Sequence, residues 1–150
     1  IGFWKPVVIS HHMLMGLGEP PKGEKTTDRA IEMKMSKSSP DSAIFMEDTE
    51  EDVKRKIKKA YCPEGIIDEN PILEYNKYIL LEKFGGNVEF ASYKELEEAY
   101  GKKEIHPMDL KATTADYLTQ LIEPVRKKIE ANKEAMNILT EIREFQKKKK

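Results

Sequence analysis

The sequence has a single cysteine, Cys62, among its 150 residues. A lone cysteine excludes a disulfide within the chain and the multi-cysteine frameworks of structural zinc sites, and it is typical of a reducing compartment. Long apolar runs are missing too, and the opening "IGFWKPVVISHH" has no basic region followed by a long apolar core. The sequence therefore predicts neither a membrane-spanning helix nor a signal peptide.

An excess of positive charge is also absent. Twenty-six Lys and Arg residues stand against 27 Asp and Glu residues, for a net charge of −1. This balance argues against a generally basic nucleic-acid binder, although local basic patches remain compatible with it. A hydrophobic content of 39% with 35% charged residues favours a helix-rich globular chain. An initiator methionine is absent and the opening reads as a buried strand, so we expect a fragment of a longer protein.

Two regions of different character are predicted. The first contains a short β-branched run, Lys5 to Ser10, that is typical of a buried strand, followed by an irregular Gly- and Pro-rich segment. From about residue 47 the patterns are helical, and Thr49, Asn70, Ser92 and His106 each stand at a helix start. A last helix is expected over about residues 133–145.

Three finer features accompany these helices. After Thr49 the apolar positions fall on one face, and we expect the basic residues, Lys56 among them, on the solvated face. Val88 and Phe90 alternate weakly as in a strand. Pro124 lies inside the helix that follows His106 and is expected to kink or break it.

Between these regions lies a serine-rich loop with two lysines, Lys34 and Lys37. Ammonium groups with hydroxyls and loop amides suit phosphate, whereas a plain solvated loop has the same composition. The order of the residues separates the two interpretations. "KMSKS" (residues 34–38) resembles the nucleotide-binding signature loop of class I aminoacyl-tRNA synthetases, and "SPDSAIF" continues it as in the tyrosyl and tryptophanyl subgroup.

Further motifs in the same order, "EDVKRKIKKAYCPEG", "EKFGG" and "IHPMDLK", resemble the archaeal and eukaryotic type of tyrosyl-tRNA synthetase. The resemblance implies a mainly α chain: the remnant of a Rossmann-type α/β catalytic domain (residues 1–46), then a helical anticodon-binding domain (residues 47–150). It also implies ATP-dependent activation of tyrosine and transfer to tRNA-Tyr.

By the same resemblance Lys34 and Lys37 are the catalytic lysines that neutralise the phosphates as pyrophosphate leaves. The implied ATP-binding residues are Lys34, Met35, Ser36, Lys37 and Ser38 of the loop, with His12 and Met13 near adenine. MgATP is the implied substrate. No metal ligands are expected, since the adjacent His11 and His12 lack a companion cluster.

The resemblance implies that Phe84, His106 and Asp109 bind the anticodon. Exposed loop bases are read by aromatic stacking and by hydrogen bonds to their edges. Each residue also has a structural alternative: Phe84 as core, His106 as the residue that begins a helix, and Asp109 as a first-turn acid. The basic helix at residues 54–59, with Lys102, Lys103 and Lys111, could contact RNA phosphates or form a solvated face.

The sequence departs from the family pattern in two places. A "HIGH"-type tetrapeptide and the half that holds the tyrosine pocket are missing, so we expect this chain alone to be inactive and monomeric, and the complete enzyme to be a cytoplasmic homodimer. The strand-and-turn stretch that usually precedes "EKFGG" is also missing, because Leu80 runs directly into Leu81. The alternative functions are a non-catalytic helical tRNA-binding module and a tryptophanyl enzyme.

Overall fold

The computed structural model describes residues 5, 7–23, 31, 33–36, 39–85 and 90–148, with side chains up to residue 145. Lys37, Ser38, Gly86 and most of the strand predicted over residues 87–91 lie outside these residues. The described part is mainly helical, and its β-structure is an isolated antiparallel bridge between Met15 and Lys34.

In the described part of the chain, five helices follow a short 3-10 turn at Pro40–Ser42. Helix α1 spans Glu50–Lys59, α3 spans Tyr93–Gly101, α4 spans Pro107–Ala131 and α5 spans Lys133–Lys148. Helix α2 has three consecutive parts: α-helical Pro71–Tyr75, π-helical Asn76–Leu80 and α-helical Leu81–Phe84. None of the described helices combines the length and the hydropathy that a membrane span requires.

The predicted helix starts are confirmed. Thr49 forms a capping box with Asp52, because each side chain bonds to the other residue's backbone amide. The Asn70 side chain accepts hydrogen bonds from the first free amides of α2, and Ser92 accepts the Glu95 amide at the start of α3. The Glu95 carboxylate bonds the Ala91 amide rather than that of Ser92, so the second capping box is only half formed.

One core joins the helices to the first region. Helices α1 and α2 pack against α4, and α5 contacts the same helix. Fully or almost fully buried side chains fill the interior: Val53, Ile57, Ile72, Leu73, Leu80, Leu96, Tyr100, Leu110, Leu118 and Ile122. Leu17 belongs to this cluster, and its carbonyl accepts the Tyr61 amide at 2.8 Å. The segment before the signature loop is therefore packed directly onto helices α1–α5, which we call the helical unit.

The buried strand predicted at Lys5 to Ser10 is wrong for the described residues. Val7, Val8 and Ile9 are 88%, 80% and 84% exposed, and no strand is assigned there. A strand is stable only when a neighbour satisfies its backbone groups and covers one face. The described part of the chain places no such neighbour beside this segment.

Lys56 corrects a second expectation, since it is buried rather than on the solvated face of α1. Its ammonium lies 2.6 Å from an Asp48 carboxylate oxygen and 3.0 Å from the Ala43 carbonyl oxygen. It also lies 4.5 Å from the centre of the Phe45 ring. The segment that follows the signature loop thus supplies a complete set of partners for a buried cation.

Two further sequence features are accommodated within helices. The Leu80–Leu81 junction lies inside α2, directly after its π-helical turn, and not in a strand-and-turn stretch. Asn76 begins that turn, and its side chain donates to Ile72 O and to the Thr114 hydroxyl, both at 2.8 Å. Helix α4 continues through Pro124, so the proline does not break it.

Candidate functional site

The signature loop is anchored at both ends to residues 15–17. Lys34 lies opposite Met15 in the β-bridge, and the Gly16 amide donates to Met33 O at 2.6 Å. The Leu17 amide donates to Ser42 O at 3.0 Å. A Cβ on Gly16 would lie 3.2–3.3 Å from the backbone oxygens of Met33, Lys34 and Ser42, so a larger residue would require these oxygens to shift by a few tenths of an ångström.

Ser42 connects the two sides of the signature loop by hydrogen bonds. Its hydroxyl donates to Ser39 O at 2.7 Å and accepts the Ser36 amide at 3.0 Å. The Ser39 amide in turn donates to Ser36 O at 3.1 Å. These bonds hold both flanks of residues 37–38 in a compact arrangement. A role for Ser42 was not visible in the sequence, where it is one serine among several.

Lys34 is exposed beside this anchored backbone, which is the position that a phosphate-binding ammonium needs. Met35 is half-buried and its sulfur accepts the Tyr75 hydroxyl at 3.5 Å, while Ser36 is half-buried within the loop. The predicted residues Lys34, Met35 and Ser36 are thus contiguous on one anchored segment. Lys37 and Ser38 lie outside the described residues.

A small cleft of about 200 Å³ adjoins the loop, lined by Ser39, Asp41, Ser42, Lys56 and Lys59 among others. Asp41 accepts from Arg55 at 2.7 Å and from Lys59 at 3.4 Å. The Arg55 guanidinium, with Lys59, holds the pKa of this exposed carboxyl below its usual value. Asp41 therefore stays ionised at neutral pH and compensates the charges of Arg55 and Lys59.

His12 is fixed to helix α2 by two side chains. Its Nε2 lies 2.5 Å from Glu74 Oε1, and its ring stacks on Tyr78 with centroids 4.1 Å apart and planes 15° apart. The other Glu74 oxygen accepts the Met15 amide at 2.6 Å. Met13, between these anchor points, is exposed.

Glu74 and Tyr78 are not among the site residues predicted from the sequence. Their four-residue spacing on a helix is a weak signal, and their partner His12 lies 62 residues before Glu74. The Nδ1 atom of His11 lies 2.9 Å from the His12 carbonyl oxygen, which is hydrogen-bonding distance. Among the described residues no group of three or more His, Cys, Asp or Glu side chains is arranged to hold a metal ion.

The predicted anticodon residues His106 and Asp109 lie together at the start of α4. The His106 side chain caps the helix, because Nδ1 accepts the Met108 amide at 3.2 Å. Asp109 is in the first turn and exposed, and its amide donates to the His106 carbonyl at 3.0 Å. Capping occupies one nitrogen of His106 and leaves its outer edge and the Asp109 carboxylate facing solvent.

Phe84 lies apart from this pair, at the end of α2. Its ring is half-buried and contacts Tyr117, with centroids 5.0 Å apart and planes 49° apart. Tyr117 follows Asp109 by eight residues, about 12 Å along a helix axis. Phe84 therefore has the core contact that the structural alternative expected, and still exposes part of its ring.

A basic groove of about 330 Å³ runs between α1 and α4, lined by Lys54, Lys58, Met108, Lys111, Ala112, Ala115 and Asp116. Two of its lysines, Lys111 and Lys54, have protein partners. Lys111 donates to Lys58 O at 3.1 Å, and Lys54 pairs with Glu50 at 2.6 Å. The groove adjoins the first turn of α4, where Asp109 lies.

Comparisons with known proteins agree on one family. The family model "tRNA synthetases class I (W and Y)" matches residues 21–123. Tyrosine–tRNA ligase of Saccharolobus solfataricus is 46% identical over 92% of this chain and 43% of its own length. That of Thermococcus sibiricus is 37% identical over 92% of this chain and 41% of its own.

Solved structures give the same result. Tyrosyl-tRNA synthetase from Pyrococcus horikoshii, complexed with L-tyrosine, superposes with a TM-score of 0.75 at 36% identity, over 87% of this chain and 40% of that one. The Leishmania major enzyme with tyrosinol gives 0.74 at 36% identity, over 91% and 22%. The chain spans about two fifths of the length of the curated relatives it matches. It belongs to the class I tRNA synthetases of the tryptophan and tyrosine group, and the tyrosyl-tRNA synthetases are the members that it resembles in sequence and fold.

Proposed function

We propose that the protein containing this chain is a tyrosine–tRNA ligase, which activates tyrosine with ATP and transfers the tyrosyl group to tRNA-Tyr. The observation that carries the proposal is the anchored Lys34–Met35–Ser36 segment, in a chain 46% identical over 92% of its length to a tyrosine–tRNA ligase. This chain contributes the signature loop and the anticodon-binding unit, as the C-terminal portion of the enzyme.

In the first step a tyrosine carboxylate oxygen attacks the α-phosphorus of ATP. The bond from that phosphorus to the oxygen bridging to the β-phosphate breaks, and pyrophosphate leaves with the bonding electrons. Lys34 and Lys37 offset the negative charge that grows on the departing group, an electrostatic contribution that is typically large in such reactions. Magnesium enters with ATP as part of the substrate, and we assign it no protein ligands.

The remaining residues of the ATP site bind and orient. Met35, Ser36 and Ser38 shape the loop and offer backbone or hydroxyl donors to the phosphates. His12 and Met13 border the adenine, with His12 held by α2. In the second step the 3′-terminal ribose of the tRNA attacks the tyrosyl carbonyl carbon and AMP leaves.

Helix α4 begins at the surface that we assign to the anticodon. The Asp109 carboxylate accepts from a base amino or imino group, and His106 donates or stacks beside it. Phe84, supported on one side by Tyr117, stacks on a splayed base with its exposed part. The basic groove beside Asp109 carries the adjoining phosphates, with modest affinity because Lys54 and Lys111 already have protein partners.

We extend the proposal to the domains, the assembly and the location of the enzyme. Residues 1–46 belong to the catalytic domain, and residues 47–150 form the anticodon-binding domain. The complete enzyme is a homodimer, whereas this chain alone is inactive and monomeric. Its location is the cytoplasm, where ATP and uncharged tRNA meet.

The test is ATP–pyrophosphate exchange by the full-length protein with each amino acid in turn. The proposal predicts exchange with tyrosine and background rates with tryptophan. Exchange with tryptophan instead would make the protein a tryptophanyl enzyme. Binding of tRNA-Tyr without exchange for any amino acid would favour a non-catalytic RNA-binding module.

A further inference from the structure

We infer that Glu74 is a positioning residue for the ATP site: from helix α2 its carboxylate fixes the segment that borders adenine and, through that segment, the backbone of Lys34. The inference rests on the proposed function and adds a residue that neither the signature loop nor the other motifs contain.

The Glu74 side chain is held in a restricted position by the core. Glu74 lies between Leu73 and Tyr75 in the sequence. The side chains of these two residues are 1% and 2% exposed, and they fix this turn of α2 in the core. The Glu74 side chain itself is 13% exposed. Rotation of the helix or of the carboxylate is therefore restricted, so the oxygen positions are well defined.

Both oxygens bind the same short segment. Oε1 lies 2.5 Å from His12 Nε2, and Oε2 accepts the Met15 amide at 2.6 Å. Hydrogen bonds to an ionised carboxylate are among the stronger ones in proteins. Tyr78, one turn further along α2, stacks on one face of the His12 ring. Two side chains of one helix thus clamp residues 12 to 15.

The clamped segment is in turn bonded to the backbone around Lys34. Met15 lies directly opposite Lys34 in the β-bridge, and the next residue, Gly16, bonds the Met33 carbonyl. Tyr75 adds a parallel link from α2, through its hydroxyl to the Met35 sulfur. Because helix α2 is part of the helical unit, this unit fixes the position of Lys34 relative to residues 12–15.

The test compares variants of the full-length protein in ATP–pyrophosphate exchange, with separate KM values for ATP and tyrosine. For Glu74→Ala we expect the KM for ATP to rise about tenfold and that for tyrosine to stay within about twofold, the loss typical of a hydrogen bond to a charged group. Glu74→Gln keeps an acceptor for the Met15 amide, and we expect a rise of about threefold. Glu74, Tyr78 and Glu97 line one cleft of about 180 Å³. Glu97→Gln is therefore the matched control and should leave both constants unchanged.

A purely structural role would raise both KM values together or only lower the melting temperature, and either result would overturn the inference. An unchanged KM for ATP in folded Glu74→Ala would also overturn it. If Glu74→Ala does not fold, Glu74→Gln and Tyr78→Leu decide, because each removes one component of the clamp; an unchanged KM for ATP in both contradicts the inference. Absence of tyrosine-dependent exchange in the wild-type protein is a different failure, which refutes the proposed function and this inference with it.

Discussion

The buried pair of Lys56 and Asp48 allows a quantitative prediction about stability. Their side chains are 4% and 9% exposed, and the carboxylate also accepts the Phe45 amide at 2.9 Å. Among the described residues, Asp48→Ala would leave the buried ammonium with the Ala43 carbonyl and the Phe45 ring as its remaining contacts. A buried charge without its counter-ion is strongly unfavourable because solvation is not replaced.

Removing one partner of a buried pair typically costs about 3–5 kcal/mol. For a chain of this size, roughly 2–4 °C of melting temperature corresponds to each kcal/mol. We therefore expect Asp48→Ala to lower the melting temperature by about 6–20 °C. The double variant Asp48→Ala with Lys56→Met should lose less than the sum of the single variants, by roughly 1–3 kcal/mol, because it leaves no uncompensated charge.

Urea unfolding at neutral pH, analysed by linear extrapolation, measures these differences. The matched control is Asp41→Ala, which removes a half-exposed carboxylate from its contacts with Arg55 and Lys59. A surface pair of this kind contributes about 1 kcal/mol or less. If Asp48→Ala costs no more than Asp41→Ala, or if the double variant is simply additive, the assignment of a coupled buried pair is refuted.

Three more predictions concern a cap, pH and the signature loop. Asn70→Ala should destabilise the chain by about 1–2 kcal/mol in urea unfolding, because two amides of α2 lose their acceptor and the Ile66 carbonyl loses its donor. Asn70→Asp should recover little of the loss, because it keeps the acceptor but buries a carboxylate against the Ile66 carbonyl. The pKa of Asp52 lies below its usual value, chiefly through the Thr49 hydroxyl, so its contribution to stability is present above the unfolded pKa near 4 and lost as pH falls through the lower folded value. Asp52→Asn should flatten that part of a melting-temperature profile from pH 5 to 2, and an unchanged slope would contradict the assignment. Lys34→Met should reduce tyrosine-dependent exchange by about 100-fold or more without lowering the melting temperature, in line with loss of a preorganised donor; a reduction below about threefold would exclude the phosphate role.

The helix starts could be predicted from the sequence because capping is local. Thr49, Asn70 and His106 each bond amides only two or three residues ahead, so the residue type and its spacing contain the whole interaction. The signature loop was predictable for a different reason, namely its resemblance to a known family.

Features that depend on distant partners could not be predicted in this way. Helical spacing placed Lys56 on the solvated face, but Asp48, Ala43 and Phe45 in the preceding segment enclose it. Glu74 is unremarkable in the sequence, because its partners precede it by about 60 residues. The strand expected at residues 5–10 failed because a β-branched run shows what a strand would bury, and not whether a neighbouring strand is present.

The anticodon assignment is tested by equilibrium binding of the full-length protein to a tRNA-Tyr transcript and to one with altered anticodon bases. Salt must be held fixed, because phosphate contacts alone would otherwise obscure the comparison. We expect the wild-type protein to bind the altered transcript at least about tenfold more weakly, in the range typical of one lost base contact. Asp109→Ala should bind both transcripts nearly equally.

The measurement that tests the central claim most directly is aminoacylation of a tRNA-Tyr transcript by the full-length protein, with tyrosine and tryptophan supplied in parallel. The account predicts ATP-dependent formation of tyrosyl-tRNA and none of tryptophanyl-tRNA. Charging with tryptophan, or no charging by a folded protein that still binds the transcript, would contradict it.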